Sequence, residues 1–410
     1  MTFHVAHFLY NLALPAISLL TAPAWLLKMI RRGGWGSGLL ERLTIYDRDP
    51  EFEKGGAVYV HAVSVGEVLL ALKLIKAWHE ETGDHFVLVP TTATGMAVAK
   101  EKAPGFVRVI YAPVDLPLLV RRAFDRFQPR AIVLMESELW PNLIIQAHRL
   151  KIPIGIANAR LSPRSGKRLS KLKKLVSPMI SKLHRIGVPE ESDVARWHAI
   201  GARPEATVVT GNVKFDPLGS PPQKREEFGD MLSAFGDQKI GMAVSTFSGE
   251  EKFISSAFRK VGLLPVVVPR HAERRAEVSA ALEGNVVLRS AFSKPEGDET
   301  FVIDSTGELR DWTAHADAVV VGKSFLAEGG QNPTEAIQAG IPVICGPHMA
   351  NFEPLVSELK DAEAIWSVTS EEELVQALRE AIVSPSAKTK AATRVLQRHE
   401  GAVSRTIALF

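Results

Sequence analysis

From residue 57 onward the chain alternates short β-rich runs with stretches of helical spacing, and no other feature constrains its fold as tightly. When a helix intervenes between successive strands, those strands run parallel, so the pattern predicts parallel sheets covered by helices. The first half supplies "AVYVH", "FVLVP" near residue 88, "VRVI" near 108, "AIVLM" at 131–135, "IGIA" at 154–157 and "TVVTG" near 209. A Pro- and Gly-rich break, "DPLGSPPQK" at 216–224, reads as a linker. The alternation then restarts with "IGMAV" at 240–244, "LPVVVP" at 264–269, "VVLR" near 287, "AVVVG" at 318–322 and "PVICG" at 342–346. A chain of 410 residues is long enough for two such domains, each with its own core. The expectation is an α/β protein of two doubly wound, Rossmann-like domains, residues 33–215 and 225–410, with neither a short-period repeat nor a low-complexity segment.

Ahead of these domains, Val5 to Ile30 is almost wholly apolar, carries Lys28 and no acid, and ends in Arg31 and Arg32. Residues 1–32 therefore read as a membrane-associated helix, long enough to span a bilayer, while Pro15 and Pro23 also allow one lying in the interface. "TAPA" at 21–24 resembles a signal-peptidase site, but a signal peptide carries its positive charge before the apolar run, and here it follows. The positive-inside rule then places the rest of the chain on the cytoplasmic side of a membrane. A buried amphipathic helix is the rival reading of the same residues. Between Arg149 and Pro189 there is no acid, while Arg164, Lys167, Arg168, Lys171, Lys173, Lys174, Lys182 and Arg185 accumulate. Such a stretch suits phosphates or anionic headgroups, and a solvated helix face accounts for it equally well.

Composition removes several function classes. A formal charge of +3 is too small to argue for nucleic acid. The single Cys345 excludes an internal disulfide, points to a reducing compartment, and in "PVICGP" reads as a small core hydrophobe. Neither an "HExxH" spacing nor a cysteine pair supports a metal site, and no Walker or "GxGxxG" loop supports an ATPase or dehydrogenase.

Ligands of doubly wound sheets bind beyond the carboxyl ends of the strands, so the turns there carry the information. In "HAVSVGE", 61–67, Ser64 and Glu67 have the spacing of a capping box, the commoner use of such a pair, and the rival reading makes Glu67 a general base. "VSTFSGEE" sets Ser245, Thr246 and a glycine ahead of a helix, where free N–H groups favour a phosphate. "VPRHAERR" puts Pro269, Arg270 and His271 at the end of a β-run, suited to gripping an anion through a charged fork. "AEGGQNPTEA" offers a Gly pair, then Asn332 as an N-cap, Pro333 in the first turn, and Glu335 three residues after the cap.

Taken as an ordered set, "HAVSVGE", "TTATG", "ESELWPNLI", "NARLSPRS", "GNVKFD", "STFSGEE", "PRHAER", "STGEL", "GGQNPTEA" and "GPHMANF" resemble the 3-deoxy-D-manno-octulosonic acid (Kdo) transferases of lipopolysaccharide synthesis. The resemblance runs from the N-terminal helix to the end of the second domain. It implies the GT-B fold, two Rossmann-like domains facing a cleft, and an inverting glycosyltransferase at the cytoplasmic side of the inner membrane.

By that resemblance Glu67 is the general base, and Glu136 of "ESELWP" and Lys214 of "GNVK" stabilise the transition state. A cation at 214 suits a leaving phosphate that gains charge as the glycosidic bond breaks. The donor would be CMP-Kdo, with Pro269, Arg270, Thr306, Gly307, Glu308, Asn332, Pro333, Thr334 and Glu335 at the CMP-contacting positions and Ser245 and Thr246 as further phosphate contacts. The acceptor would be a lipid A precursor, and neither cofactor nor metal is implied. The chain departs from the family pattern at Lys323, Gln331, Thr334, Ala272 and Arg275; none of these removes a residue assigned to chemistry, and Lys323 changes the electrostatics near the sugar. Two alternatives remain at this stage: a UDP-sugar-dependent lipid A disaccharide synthase, and a membrane-tethered nucleotide-binding module in which Glu67 only caps a helix.

Overall fold

The computed structural model describes residues 3–31, 37–47, 55–216 and 222–410. Most of the expected linker, 217–221, and the end of the N-terminal segment lie outside the described residues. The chain forms two compact units, Met1–Asp216 with Gly401–Phe410, and Pro217–Glu400.

The first unit is built on β1 Val58–Ala62, β2 Phe86–Pro90, β3 Val107–Val109, β4 Ala131–Met135, β5 Ile154–Ala157, β6 Arg185–Val188 and β7 Thr207–Val209. They form one parallel sheet in the order β3-β2-β1-β4-β5-β6-β7. Strands β1, β2 and β4 are buried along their whole length, which explains their continuous apolar letters. Alternate residues feed two cores: Tyr59 joins Phe124, Phe127 and Trp197 on one face, while Val58 and Val60 join Leu74, Trp78 and Phe86 on the other. The order reverses between β1 and β4, and that is where doubly wound sheets bind ligands.

The second unit holds β8 Ile240–Thr246, β9 Leu264–Pro269, β10 Val286–Leu288, β11 Thr300–Val302, β12 Ala318–Val321, β13 Val343–Cys345 and β14 Trp366–Ser367. Its sheet runs β10-β11-β9-β8-β12-β13-β14, all parallel, with the reversal between β8 and β12. Strands β6, β11 and β14 have no counterpart in the sequence reading, because none of the three carries a continuous run of Val or Ile. Cys345 lies buried in β13, where burial pushes its thiol up to about 11, as fits a core hydrophobe.

The C-terminal boundary at 410 is corrected by the structure. Residues 401–410 return to the first unit. The Asp216 carboxylate accepts the N–H of Gly401 at 3.0 Å and of Val403 at 2.6 Å, and Val403 and Ile407 enter the core around Trp78. Arg405 adds a bond to the Thr210 carbonyl at 2.9 Å. The free energy of burying these aliphatic side chains holds the tail there, and nothing local in the letters marks the crossing.

The N-terminal run forms one helix, Phe3–Arg31. Three of its polar side chains face the protein: Tyr10 donates to Asp115 at 2.8 Å, His7 meets Asn142 Oδ1 at 2.8 Å, and Asn142 donates to Asn11 Oδ1 at 2.7 Å. Val5, Phe8, Leu9 and Leu12 face outward, Phe8 being 67% exposed. Among the described residues no helix is long and apolar enough to cross a membrane.

Candidate active site

Ser64 caps the helix Val65–Thr82 by accepting the Glu67 N–H, and donates its hydroxyl to Glu67 Oε1 at 2.8 Å. The other carboxylate oxygen accepts the Val63 N–H at 2.8 Å. Thr92, beyond β2, donates to the Val63 carbonyl at 2.9 Å, so the peptides around Val63 are gripped from two sides. The capping geometry is therefore real. It does not exhaust Glu67, because each carboxylate oxygen has a second lone pair, and the residue retains 8% exposure at the carboxyl end of β1.

Glu136 follows β4 in the left-handed region at φ 55°, its N–H bonded to the Ala157 carbonyl at 2.9 Å. Burial raises its carboxyl above the usual range, the charge of Glu67 raises it further, and Arg160 and Lys214 oppose both. Glu138 is raised in the same way by burial and by Glu67, while it accepts the Trp140 indole N–H at 2.9 Å. Burial lowers Lys214, and Glu136 draws it back up. The three residues named from the motifs, Glu67, Glu136 and Lys214, thus share one electrostatic neighbourhood around the β1/β4 reversal. Arg160 belongs to it as well.

Lys73, two turns along the helix that begins with Glu67, was not read as functional. Its ammonium group donates to the Asp216 carbonyl at 2.6 Å and the Lys214 carbonyl at 3.3 Å, and burial lowers it to about 8. One helix therefore carries the acid and fixes the backbone of the distant cation. Asn158, at φ 55°, helps by accepting the Val213 N–H at 3.0 Å.

In the second unit Ser245, at φ 53°, and Thr246 end β8. Both are buried, Thr246 completely, and its carbonyl accepts the N–H of Arg270 and a guanidinium N–H of Arg274, each at 3.1 Å. Gly322 is required beside them: a Cβ there would lie 2.5 Å from the Thr246 Cα. Pro269 is buried, while Arg270 is exposed.

Glu250 is the residue that motif reading missed in this unit. Fully buried, it accepts backbone N–H groups from Phe247 at 3.1 Å, Lys323 at 2.6 Å, Phe325 at 3.0 Å and Leu326 at 3.4 Å, joining the loops after β8 and β12. The "GEE" letters alone gave only an acidic helix start.

Thr306 and Gly307 are exposed at a turn, with Gly307 at φ 83°. Glu308 is held by Arg289 at 2.9 Å; burial works against its charge, yet the hydroxyl of Ser305 and the cation of Arg289 keep its carboxyl below the usual range. Asn332 accepts both the N–H and the hydroxyl of Thr334. The helix Thr334–Gln338 begins one residue later than expected, with Pro333 in the cap position. Burial raises Glu335, and Arg310 and then Arg270 oppose that shift, so the turns carrying Arg270, Glu308 to Arg310 and Asn332 to Glu335 converge electrostatically. No group of three or more His, Cys, Asp or Glu among the described residues is arranged to hold a metal ion.

A family model described as 3-deoxy-D-manno-octulosonic-acid transferase (kdotransferase) matches residues 37–217. The 3-deoxy-D-manno-octulosonic acid transferase of Haemophilus influenzae is 31% identical over 368 residues, 86% of each chain. That of Bordetella pertussis is 32% identical, covering 85% of this chain and 86% of its own. Among solved structures, the C-terminal CMP-Kdo binding domain of WaaA from Acinetobacter baumannii aligns with 42% of this chain and 97% of its own at 26% identity and a TM-score of 0.38. The UDP-GlcNAc 2-epimerase of Neisseria meningitidis shares the fold over 85% of this chain and 95% of its own, at 12% identity and a TM-score of 0.50. With the ordered motifs, the paired sheets and two curated relatives above 30% identity across most of their length, the chain belongs to the 3-deoxy-D-manno-octulosonic acid transferase family and is a glycosyltransferase.

Proposed function

We propose that the protein transfers Kdo from CMP-Kdo to a phosphorylated, acylated glucosamine disaccharide of the lipid A precursor type, in a single inverting displacement and without a metal. An acceptor hydroxyl attacks the anomeric carbon of Kdo, and the bond from that carbon to the phosphate oxygen of CMP breaks. Glu67 takes the hydroxyl proton as the new bond forms. Concerted removal lets an ordinary carboxylate suffice, because the hydroxyl becomes far more acidic as it attacks. The observation that carries the reading is the Glu67 carboxylate, fixed by the Val63 N–H and the Ser64 hydroxyl at the end of β1.

Lys214 supplies positive charge toward the departing phosphate, and Glu136 supplies negative charge toward the oxocarbenium-like sugar. In the second unit, Arg270 and the backbone after β8 suit the phosphate of CMP, while Glu308 and Glu335 suit hydroxyls of its ribose or sugar. A UDP-sugar lipid A disaccharide synthase loses its support to the family assignment.

We place the enzyme at the cytoplasmic face of an inner membrane. The N-terminal helix turns Phe8, Leu9 and Leu12 outward, and it contacts the helix Lys173–Ile180, next to the exposed Arg164, Lys167, Arg168, Lys171, Lys173 and Lys174. An apolar helix face beside clustered cations suits insertion among anionic headgroups.

The test supplies CMP-Kdo and a lipid A precursor and follows CMP release together with the mass of the lipid product. Glu67→Gln keeps the cap and removes the base, so it folds normally and transfers no sugar. Full activity in that variant would refute the assignment.

A further inference from the structure

At the carboxyl ends of β1, β2 and β3, beside the proposed base, lies a cavity of about 140 Å³ that the chemistry above leaves unused. Leu14 of the N-terminal helix, Ala112, Val114, Val120, Trp140 and Leu143 give it an apolar wall. Arg42 and Asp115 among its polar liners are committed to partners within the protein, whereas the buried His61 Nδ1 has no hydrogen-bond partner. Arg42 donates to the Thr91 carbonyl at 2.6 Å and lies over the Tyr111 ring at 4.3 Å. The Asp115 carboxylate accepts the Tyr10 hydroxyl and the N–H groups of Asn142 and Leu143. His61 is 2% exposed, and burial lowers it to about 4, so its imidazole adds no charge at neutral pH.

Well-packed interiors leave few voids larger than a water. At about 30 Å³ per water, this space has room for about four, each needing two to four polar partners, and a mostly apolar wall whose clearest unpaired polar atom is His61 Nδ1 cannot satisfy that many. Hydrocarbon fits it better. The position is informative too, because His61 lies two residues before Val63, whose N–H holds Glu67. On the roofing helix, Leu14 lines the space while Leu12, on the opposite side of the helix, is 63% exposed, so the same helix carries the cavity wall and the outward apolar face.

We propose that this cavity receives the end of one acyl chain of the lipid acceptor, seating the acceptor beside the base by its hydrocarbon. The proposal rests on the reading of lipid-directed Kdo transfer given above. Its test fills the cavity from two sides, with Leu14→Trp and separately Ala112→Leu, and compares two acceptors: the acylated disaccharide, and the same phosphorylated disaccharide stripped of its acyl chains. Each buried methylene contributes about fourfold to binding, so displacing two raises KM for the acylated acceptor about fifteenfold. KM for the stripped acceptor and for CMP-Kdo stays unchanged.

Unchanged KM for the acylated acceptor in both variants overturns the cavity assignment and leaves Kdo transfer standing. An equal loss on both acceptors also overturns it, since it would mean damage to the fold. No transfer by the unaltered protein to either acceptor overturns the functional reading and the cavity assignment together.

Discussion

The acidic side chains of the first unit are arranged at a cost that pH can reveal. Glu136 is raised by burial and by Glu67, so its ionised form is less stable in the folded chain than in the unfolded one. A raised carboxyl destabilises the native state at pH above its folded value, and the penalty disappears below the ordinary value of 4.5. Glu136→Gln is therefore expected to raise the melting temperature at pH 7 to 8, by roughly 2–4 °C per kcal/mol recovered. The gain should vanish near pH 4, and transfer should fall at every pH. Thermal unfolding across that range, paired with CMP release, checks both halves; an unchanged melting temperature at pH 8 would refute the coupling. Glu67, Glu136 and Lys214 were named from the ordered motifs of the family resemblance, and the fold brings the three into one electrostatic neighbourhood. Lys73 was not, since its bonds to the 214–216 backbone span more than 140 residues and no local spacing encodes them.

At the scale of elements, Glu250 is the join between two strand-end loops. Removing its carboxylate leaves as many as four buried N–H groups short of an acceptor, each costing about 1–3 kcal/mol where water cannot replace it. Glu250→Ala is expected to lower the melting temperature and raise KM for CMP-Kdo by at least about tenfold, a change equivalent to ~1.4 kcal/mol of binding. KM for the acceptor should be unaffected, and steady-state kinetics in both substrates separates the two. The strands of both sheets were largely readable from their continuous Val and Ile runs, with β6, β11 and β14 the exceptions. The Thr334–Gln338 helix was displaced by one residue because a Pro after Asn suits either the cap or the first turn.

For the whole molecule, the N-terminal helix is inverted relative to a soluble amphipathic helix: hydrogen bonds from His7, Tyr10 and Asn11 face the protein and the apolar residues face away. Replacing Phe8 and Leu12 with Asp is expected to abolish co-sedimentation with anionic vesicles while leaving transfer to a deacylated acceptor intact. Retained binding would exclude this face as the docking surface. Composition showed that the run was apolar, but which side of it turned outward depended on Asp115 and Asn142, more than 100 residues away.

The bond between Asp216 and Gly401 brings the exit from the first unit and the re-entry into it to within 3.0 Å of each other. In engineering terms, residues 217–400 can be treated as an insert in a host that closes behind them. A gene joining residue 216 to residue 401 through a few glycines should yield a cooperatively melting miniature, whereas one stopping at 216 should yield a protein prone to aggregate. Comparing their unfolding curves would decide whether the last ten residues are a keystone or a decoration.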